Sequence, residues 1–318
     1  MKVVIIGGSG HIGTYLVPML INAGYHITNI TRGNSKPYEY DPAWERVNAV
    51  HMDRTKEQDF TTKISAMEPD IVVDLVNFNI EDTKTITKVL SNSQCSHYLY
   101  CSSCWAHGRA EILPFNPDDI KKEPLCEYGK DKYSSELYLN DLYRREGFPA
   151  TVIMPGQISG PGWTIMNPWA NKTILPFQKI ADGEEIALPN FGMETLHHVH
   201  GYDVAQCFYK AITHRNQAIG ECFDAVSGGS ITLYGYAKLM YKFFGREPKI
   251  SFLPWKEWCD YVGDSEECED TYLHIARSGY FSTTKEEKLL DYYPKFTNVE
   301  TIKIAVQSYV DRGLIKVK

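Results

Sequence analysis

The feature that most constrains this chain lies at its beginning. The apolar run Val3-Val4-Ile5-Ile6 leads straight into Gly7-Gly8-Ser9-Gly10-His11-Ile12-Gly13. A run so short suits a strand buried on both faces. Residues 12–23 then carry helical spacing up to Gly24, with Pro18 inside at the cost of one backbone hydrogen bond. Strand, glycine turn and helix in that order give glycine three tasks: a tight turn, close approach of backbone to a ligand, and close packing of helix on strand. The helix N-terminus adds free N–H groups and a partial positive charge. A glycine-rich turn by itself is also an ordinary loop. Its place between strand and helix predicts a dinucleotide pyrophosphate bound over Gly7, Ser9, Gly10, His11, Ile12 and Gly13.

The pattern that follows agrees with such a turn. Apolar runs at 25–31, 47–52, 71–76, 97–102 and 151–154 alternate with helical stretches, among them 82–90 and 128–147. Alternation of this kind predicts an α/β fold, a Rossmann-type doubly wound parallel sheet. Pro155-Gly156 and Gly160-Pro161-Gly162 then change the texture. We place a dinucleotide-binding domain at 1–157 and a smaller C-terminal α/β substrate lobe at 158–318, with segments near 200–226 returning to the first domain. In the lobe, helices are expected at 173–182, 204–213 and 233–244, and strands at 221–226 and 249–252. Without repeats, low-complexity tracts or a flexible linker, the lobe must pack tightly on the sheet.

A length of 318 residues suffices for both cores. The net charge of -7 weighs against general affinity for nucleic acid or an anionic membrane, so the expected partner is a small molecule. The first apolar run ends too early for a signal-peptide core, and no stretch approaches the roughly 18 apolar residues that span a bilayer, so a cytoplasmic protein is expected. The eight cysteines show no disulfide framework and read as reduced thiols.

Cofactor preference turns on the end of the second strand, Asn29-Ile30-Thr31-Arg32-Gly33. An NAD site usually has a carboxylate about 20 residues after the turn, accepting from the adenosine ribose. None stands here. Arg32 suits a 2′-phosphate instead, which favours NADP over NAD; the alternative is a solvated arginine in a turn.

Two later segments carry chemistry. Tyr100-Cys101-Ser102-Ser103-Cys104-Trp105-Ala106-His107-Gly108 leaves the fifth strand, and Tyr128-Gly129-Lys130-Asp131-Lys132 opens a helix. Tyr128 and Lys132 are four apart and share a helix face. An ammonium there is expected to draw the phenol pKa down from about 10, fitting it to exchange a proton with a hydroxyl or carbonyl oxygen.

Together these motifs resemble the extended short-chain dehydrogenase/reductases, the NAD-dependent epimerase/dehydratase family. The resemblance covers the turn at Gly7 to Gly13, Asp53, Ser102-Ser103, Tyr128 to Lys132, Pro155 to Gly162, and His200 to Ala205. It implies Tyr128 as general acid/base, Lys132 as its tuner and ligand of the nicotinamide ribose, and Ser103 as hydrogen-bond donor to the reacting oxygen. Asp53 is then expected at the adenine, Val76 and Pro155 along the cofactor, and His107 and His200 at the substrate. A homodimer through the tyrosine-bearing helix and its neighbour is likewise implied.

The departures concern substrate. His107 replaces the tyrosine common before Gly108, and Met154 the arginine usual at the end of the sixth strand. Glu194, Thr195 and Leu196 stand where sugar-nucleotide epimerases carry a diphosphate-gripping arginine, for which Arg277 offers a partial substitute. Arg32-Gly33 is also similar to an atypical branch that includes chloroplast stem-loop RNA-binding proteins. The expectation is an NAD(P)-dependent oxidoreductase or epimerase acting at a secondary alcohol or ketone of a sugar-like substrate. The alternative is a non-catalytic cofactor-sensing or RNA-binding protein on the same fold.

Three other features have plainer readings. Cys101-x-x-Cys104 has redox or half-zinc spacing without a second pair, and small residues at a crowded strand end explain it equally. His197, His198 and His200 lack an accompanying carboxylate, and no metal is expected. Trp163, Trp169, Trp255 and Trp258 suit either a pocket wall or the lobe's core.

Overall fold

The computed structural model describes residues 1–119 and 121–317. The chain runs through β1 (Lys2–Ile6), α1 (Gly13–Asn22), β2 (His26–Thr31), β3 (Asn48–His51), α2 (Phe60–Ala66) and β4 (Ile71–Asp74). Then come α3 (Ile80–Leu90), β5 (His97–Cys101), α4 (Glu127–Glu146) and β6 (Ala150–Pro155). Beyond these lie β7 (Gln157–Ser159), α5 (Leu175–Asp182), β8 (Ile186–Pro189), β9 (Thr195–Leu196), β10 (His198–His200), α6 (Gly201–Thr213) and β11 (Cys222–Ala225). The central sheet has seven strands in the order β11, β6, β5, β4, β1, β2, β3, every pair parallel. This is the doubly wound sheet the alternation predicts. The direction of winding reverses between β1 and β4, and such sheets bind ligands outside the strand C-termini at that point.

Burial follows the alternation of side chains along each strand. Val3, Ile5 and Leu99 pack on one face with Leu16, Val17 and Leu20 of α1 and Val204 and Phe208 of α6. Val4, Ile6, Tyr98 and Tyr100 face the other way, onto Phe60, Ile86, Leu90, Leu139 and Leu142. Each apolar side chain sealed this way contributes roughly 1.5–3 kcal/mol. Gly147 ends α4 in the left-handed region at φ +70°, its N–H on the Tyr143 carbonyl.

The second lobe has a core of its own in which Trp169 and Trp258 are sealed and meet edge to face at 6.0 Å. These two tryptophans are core rather than pocket wall. Tyr15 of α1 and Ile158 of β7 touch both cores and bind the lobe to the sheet. Four C-terminal helices, Trp255–Val262, Ser265–Ile275, Thr284–Leu290 and Asn298–Asp311, go beyond what the spacing led us to expect. The last carried a readable signal, a capping box in which Thr297 and Glu300 satisfy each other's backbone N–H.

Candidate active site

The glycine turn is built to bring backbone close. Gly7 sits at φ +87°, and its N–H donates to the Ile30 carbonyl at 2.8 Å. A Cβ there would lie 2.5 Å from Val76 Cγ1, and one on Gly13 would lie 1.8 Å from the Gly8 carbonyl oxygen. Only glycine lets α1 dock on the turn. Asn29 of β2, 4% exposed, holds the turn from the side: its Oδ1 accepts from Gly8 N–H at 3.0 Å, and its Nδ2 donates to Ser9 Oγ at 3.1 Å. The sequence reading missed Asn29, although an amide inside an otherwise apolar strand was the available signal. No side chain caps α1 and no acidic residue enters its first turn, which leaves the partial positive charge of the terminus to an anion, although Thr14, Tyr15 and Leu16 N–H already donate to the Gly10 and Ile12 carbonyls.

Two cavities meet over this turn. One of about 610 Å³ is walled by Arg32, Asn34, Ser35, Met52, Asp53 and Phe60. The other, about 380 Å³, runs past His11, Ile12, Ser103, Tyr128, Lys132 and Pro155. Gly7, Gly10, Val76 and Phe78 line both, so the cavities form one groove across the switch point. A long groove with a glycine cradle at its middle fits a dinucleotide. Ser9 and Gly13 stand behind the cradle, Ser9 6% exposed. Arg32 is exposed and makes no hydrogen bond or ion pair among the described residues. The Asp53 carboxylate accepts from Thr55 Oγ1 at 2.8 Å and Thr55 N–H at 3.0 Å, which holds it below the usual carboxylate range. Arg54 is occupied, donating to Asp74 Oδ2 and to the Val76 carbonyl.

Ser103, Tyr128 and Lys132 converge at the other end of the groove. Ser103 follows β5 and caps a short 3-10 turn: its Oγ accepts from Trp105 N–H at 3.2 Å, and its own O–H is left as a donor within reach of Tyr128 and Cys104. Ser102 turns the opposite way, to Glu136. Lys132 is 1% exposed, and its Nζ donates to the carbonyls of Asn77 at 2.6 Å and Cys101 at 2.7 Å. One of its three N–H bonds stays unused in those contacts. Burial lowers its pKa.

The tuning of Tyr128 differs from expectation. The residue is 41% exposed along the groove, but its hydroxyl lies near Ser103, Cys101 and Cys104, and burial there raises its pKa; hydrogen bonding with Ser103 opposes the rise. Lys132 does not draw it down, because two carbonyls hold the ammonium 5.6 Å from the Tyr128 ring centre. The phenol is held protonated.

Two expected substrate residues point elsewhere. His107 is 4% exposed and lines neither cavity; its Nε2 lies 2.9 Å from Asp224 Oδ1 of β11, behind the Ser103 turn. Gly108, where a Cβ would strike the Glu123 carbonyl at 1.7 Å, pins the segment in that course. His200 caps α6, its Nδ1 accepting from Tyr202 N–H at 3.1 Å, while its ring packs on Phe296. Cys101 and Cys104 are buried, and burial pushes the Cys101 thiol up to about 11 and raises Cys104. Thiols so protonated make poor nucleophiles and metal ligands.

A smaller cavity of about 40 Å³ opens from the groove past Trp105 and Gln157, which line both spaces. His197, His274, Thr195 and Arg277 form its wall. Sequence reasoning gave His274 and Trp105 no role. They come together only because helix Ser265–Ile275 folds back over the 3-10 turn, bringing the His274 ring edge-on to Trp105 at 4.9 Å.

Residues 3–224 match the model of the NAD dependent epimerase/dehydratase family. The chain belongs to this family. Among family relatives, the chloroplast stem-loop binding protein of 41 kDa b of Arabidopsis thaliana is 27% identical, the match covering 99% of this chain and 81% of that protein. The 2'-dehydrokanamycin reductase of Streptomyces kanamyceticus is 31% identical over 43% of this chain and 37% of its own length. The fold is that of UDP-glucuronic acid 4-epimerase from Bacillus cereus in complex with UDP-glucuronic acid and NAD, with a TM-score of 0.74, 15% identity and coverage of 98% and 100%. UDP-glucose 4-epimerase of Thermotoga maritima with UDP-glucose superposes with a TM-score of 0.72 at 18% identity over 98% and 99%.

Proposed function

We propose that this chain is an NADP-preferring oxidoreductase or epimerase that moves a hydride at a secondary alcohol or ketone carbon of a sugar-like substrate. The observation that carries this reading is the meeting of Ser103, Tyr128 and Lys132 at one end of a groove whose middle is the glycine cradle. The nicotinamide, when bound, supplies or accepts the hydride. Gly7, Gly10 and the uncapped α1 terminus hold the pyrophosphate, and Arg32 with Ser35 meets a 2′-phosphate. Lys132 offers its remaining N–H to the ribose. Ser103 donates to the reacting oxygen, and Tyr128 exchanges the proton with it. With a dinucleotide bound, reduction would pass the Tyr128 proton to the reacting oxygen, and oxidation would return it to Tyr128.

Tyr128→Phe tests the assignment. Turnover is expected to fall about 10²–10⁴-fold, the usual weight of a general acid, while cofactor affinity measured by fluorescence titration stays unchanged. Persisting turnover would remove Tyr128 from the mechanism. A second reading, a cofactor-sensing or RNA-binding protein without turnover, is favoured by the similarity to the chloroplast stem-loop binding protein over nearly the full chain. The net charge of -7 weighs against it. RNA binding whose affinity falls as salt rises would support that reading; no binding at low salt excludes it.

A further inference from the structure

Strand β4 ends on a carboxylate. Asp74 is fully buried, and its Oδ2 accepts from three donors: Arg54 Nη2, the Tyr98 hydroxyl at 3.2 Å and Asn77 Nδ2 at 3.3 Å. Its Oδ1 has no hydrogen-bond partner among the described residues. Asn77 is the next link. Its side-chain oxygen accepts from Thr83 of α3 at 3.2 Å, and its backbone carbonyl accepts from Lys132 Nζ of α4 at 2.6 Å. A buried polar chain therefore runs from Arg54, in the wall of the wider cavity, through Asp74 and Asn77 to the lysine of the narrower one.

The charge state of Lys132 decides what it can offer a ligand. An ammonium has three N–H bonds; two go to the Asn77 and Cys101 carbonyls, and the third is a charged donor. A neutral amine in the same place would spend both hydrogens on those carbonyls and turn a lone pair outward. Burial presses toward the amine, because a side chain 1% exposed has little water to hold its charge, and Arg54 adds repulsion. The Cys101 thiol and Asp74 oppose them. Cys101 is itself pushed up to about 11, so it carries no charge near neutral pH. The rings of Phe78, Tyr100 and Tyr128, with centres 4.9, 5.1 and 5.6 Å from Nζ, favour a cation without supplying a charge. Among the described groups that act on Lys132, Asp74 supplies the full negative charge.

We infer that Asp74 is the buried counter-ion of Lys132, a positioning residue that keeps the lysine an ammonium and so keeps a charged donor in the groove. Arg54 shares Asp74 and sets how much of that carboxylate Lys132 feels. The use of the donor rests on the proposed contact of Lys132 with the nicotinamide ribose; the counter-ion itself does not.

The titration of Lys132 tests it, followed in the full chain without cofactor by carbon NMR of lysines labelled at Cε, with Lys132→Arg to identify the signal. In wild type Lys132 is expected to be an ammonium at neutral pH. Asp74→Asn keeps the shape and removes the charge, and is expected to lower the midpoint by about one pH unit or more. Arg54→Gln removes the competing cation and is expected to raise it. A role in packing alone would not give opposite signs. NADPH affinity by fluorescence titration is the second readout. Relative to wild type, the affinity of Asp74→Asn should fall with rising pH, by about tenfold where only the variant's lysine is neutral. Taking the ratio cancels the titration of the dinucleotide's own phosphate. A cooperative urea transition shows that a variant is folded. Where Asp74→Asn lacks one, Arg54→Gln decides; where that variant lacks one too, Tyr98→Phe decides, since it takes an uncharged donor from Asp74 and should also raise the midpoint. A neutral amine at neutral pH in wild type, an unmoved midpoint in the deciding variant, or a midpoint that moves against the expected sign overturns the inference. A flat affinity ratio beside midpoints that move as expected takes Lys132 away from the ribose, which is a failure of the proposed function and leaves the counter-ion standing.

Discussion

His11 and Trp163 lie face to face, their ring centroids 3.8 Å apart and 13° from parallel. One belongs to the glycine turn and the other to the second lobe, so the stack closes the lobe onto the phosphate-binding end of the groove. Tyr38 completes the cluster, its hydroxyl 3.1 Å from His11 Nε2. Burial under Trp163 pushes the His11 pKa down to about 4. Trp163→Ala should uncover the ring and let it titrate near the unperturbed 6.5, at a stability cost of about 3–5 kcal/mol for the lost aromatic. Following the imidazole proton shift of His11 by NMR against pH checks this. A midpoint still near 4 in the variant would show that the stack is not what buries His11.

His107 offers a second test, since the family resemblance set it at the substrate and the structure pairs it with Asp224. Asp224 is fully buried, and its second oxygen has no partner among the described residues. His107→Ala leaves that carboxylate without its nearest partner, a loss of about 1–3 kcal/mol for a hydrogen bond to a buried acceptor. The expected outcome is a drop in the urea midpoint with KM close to wild type. Intact stability with a raised KM would return His107 to the substrate.

The contrast between these residues shows what was legible in the sequence. The turn at Gly7 to Gly13 and the pair Tyr128 and Lys132 depend on local spacing, which the chain displays directly. The strands were legible for the same reason: Val3 to Ile6 are apolar because both faces of a parallel strand are covered. His107 and Asp224 are 117 residues apart in sequence, and Asn29 reaches the turn from the neighbouring strand, so their roles exist only after the sheet is assembled. The protonation of Tyr128 was hidden likewise. Spacing placed an ammonium one turn away, but the carbonyls of Asn77 and Cys101 that capture it come from two other segments.

Arg32 carries the cofactor preference. It lines the wider cavity with Asn34 and Ser35, exposed and hydrogen-bonded to none of the described residues, though near enough to Asp53 to help hold that carboxyl low. Arg32→Ala should weaken NADPH about tenfold to a hundredfold, the range of one charge-assisted contact, and change NADH less than about threefold. Fluorescence titration of both reduced dinucleotides measures this. Equal losses for the two would take the 2′-phosphate away from Arg32.

Glu286 should govern how stability changes between about pH 4 and pH 8. The side chain is 1% exposed, and its Oε1 accepts from Asp224 N–H at 2.8 Å. Burial first, and the neighbouring Asp224 carboxylate second, push its pKa up to about 8. The unfolded value is about 4.3, so between these limits the folded chain keeps a proton that the unfolded chain has released. Stability therefore falls as pH rises from about 4 to about 8 and levels off above. Glu286→Gln keeps the acceptor for Asp224 N–H and has no proton to lose. Wild type and variant should differ by a constant amount below pH 4, and the variant should gain progressively up to pH 8, by on the order of a few kcal/mol. His197, His198 and His274, held neutral by burial, give an opposite slope below their unfolded value of about 6.5, but that slope is common to both proteins and cancels in the difference. Urea unfolding at pH 5, 7 and 9 suffices, and a variant curve running parallel to wild type across that range would mean that Glu286 is already ionised in the folded chain at pH 5.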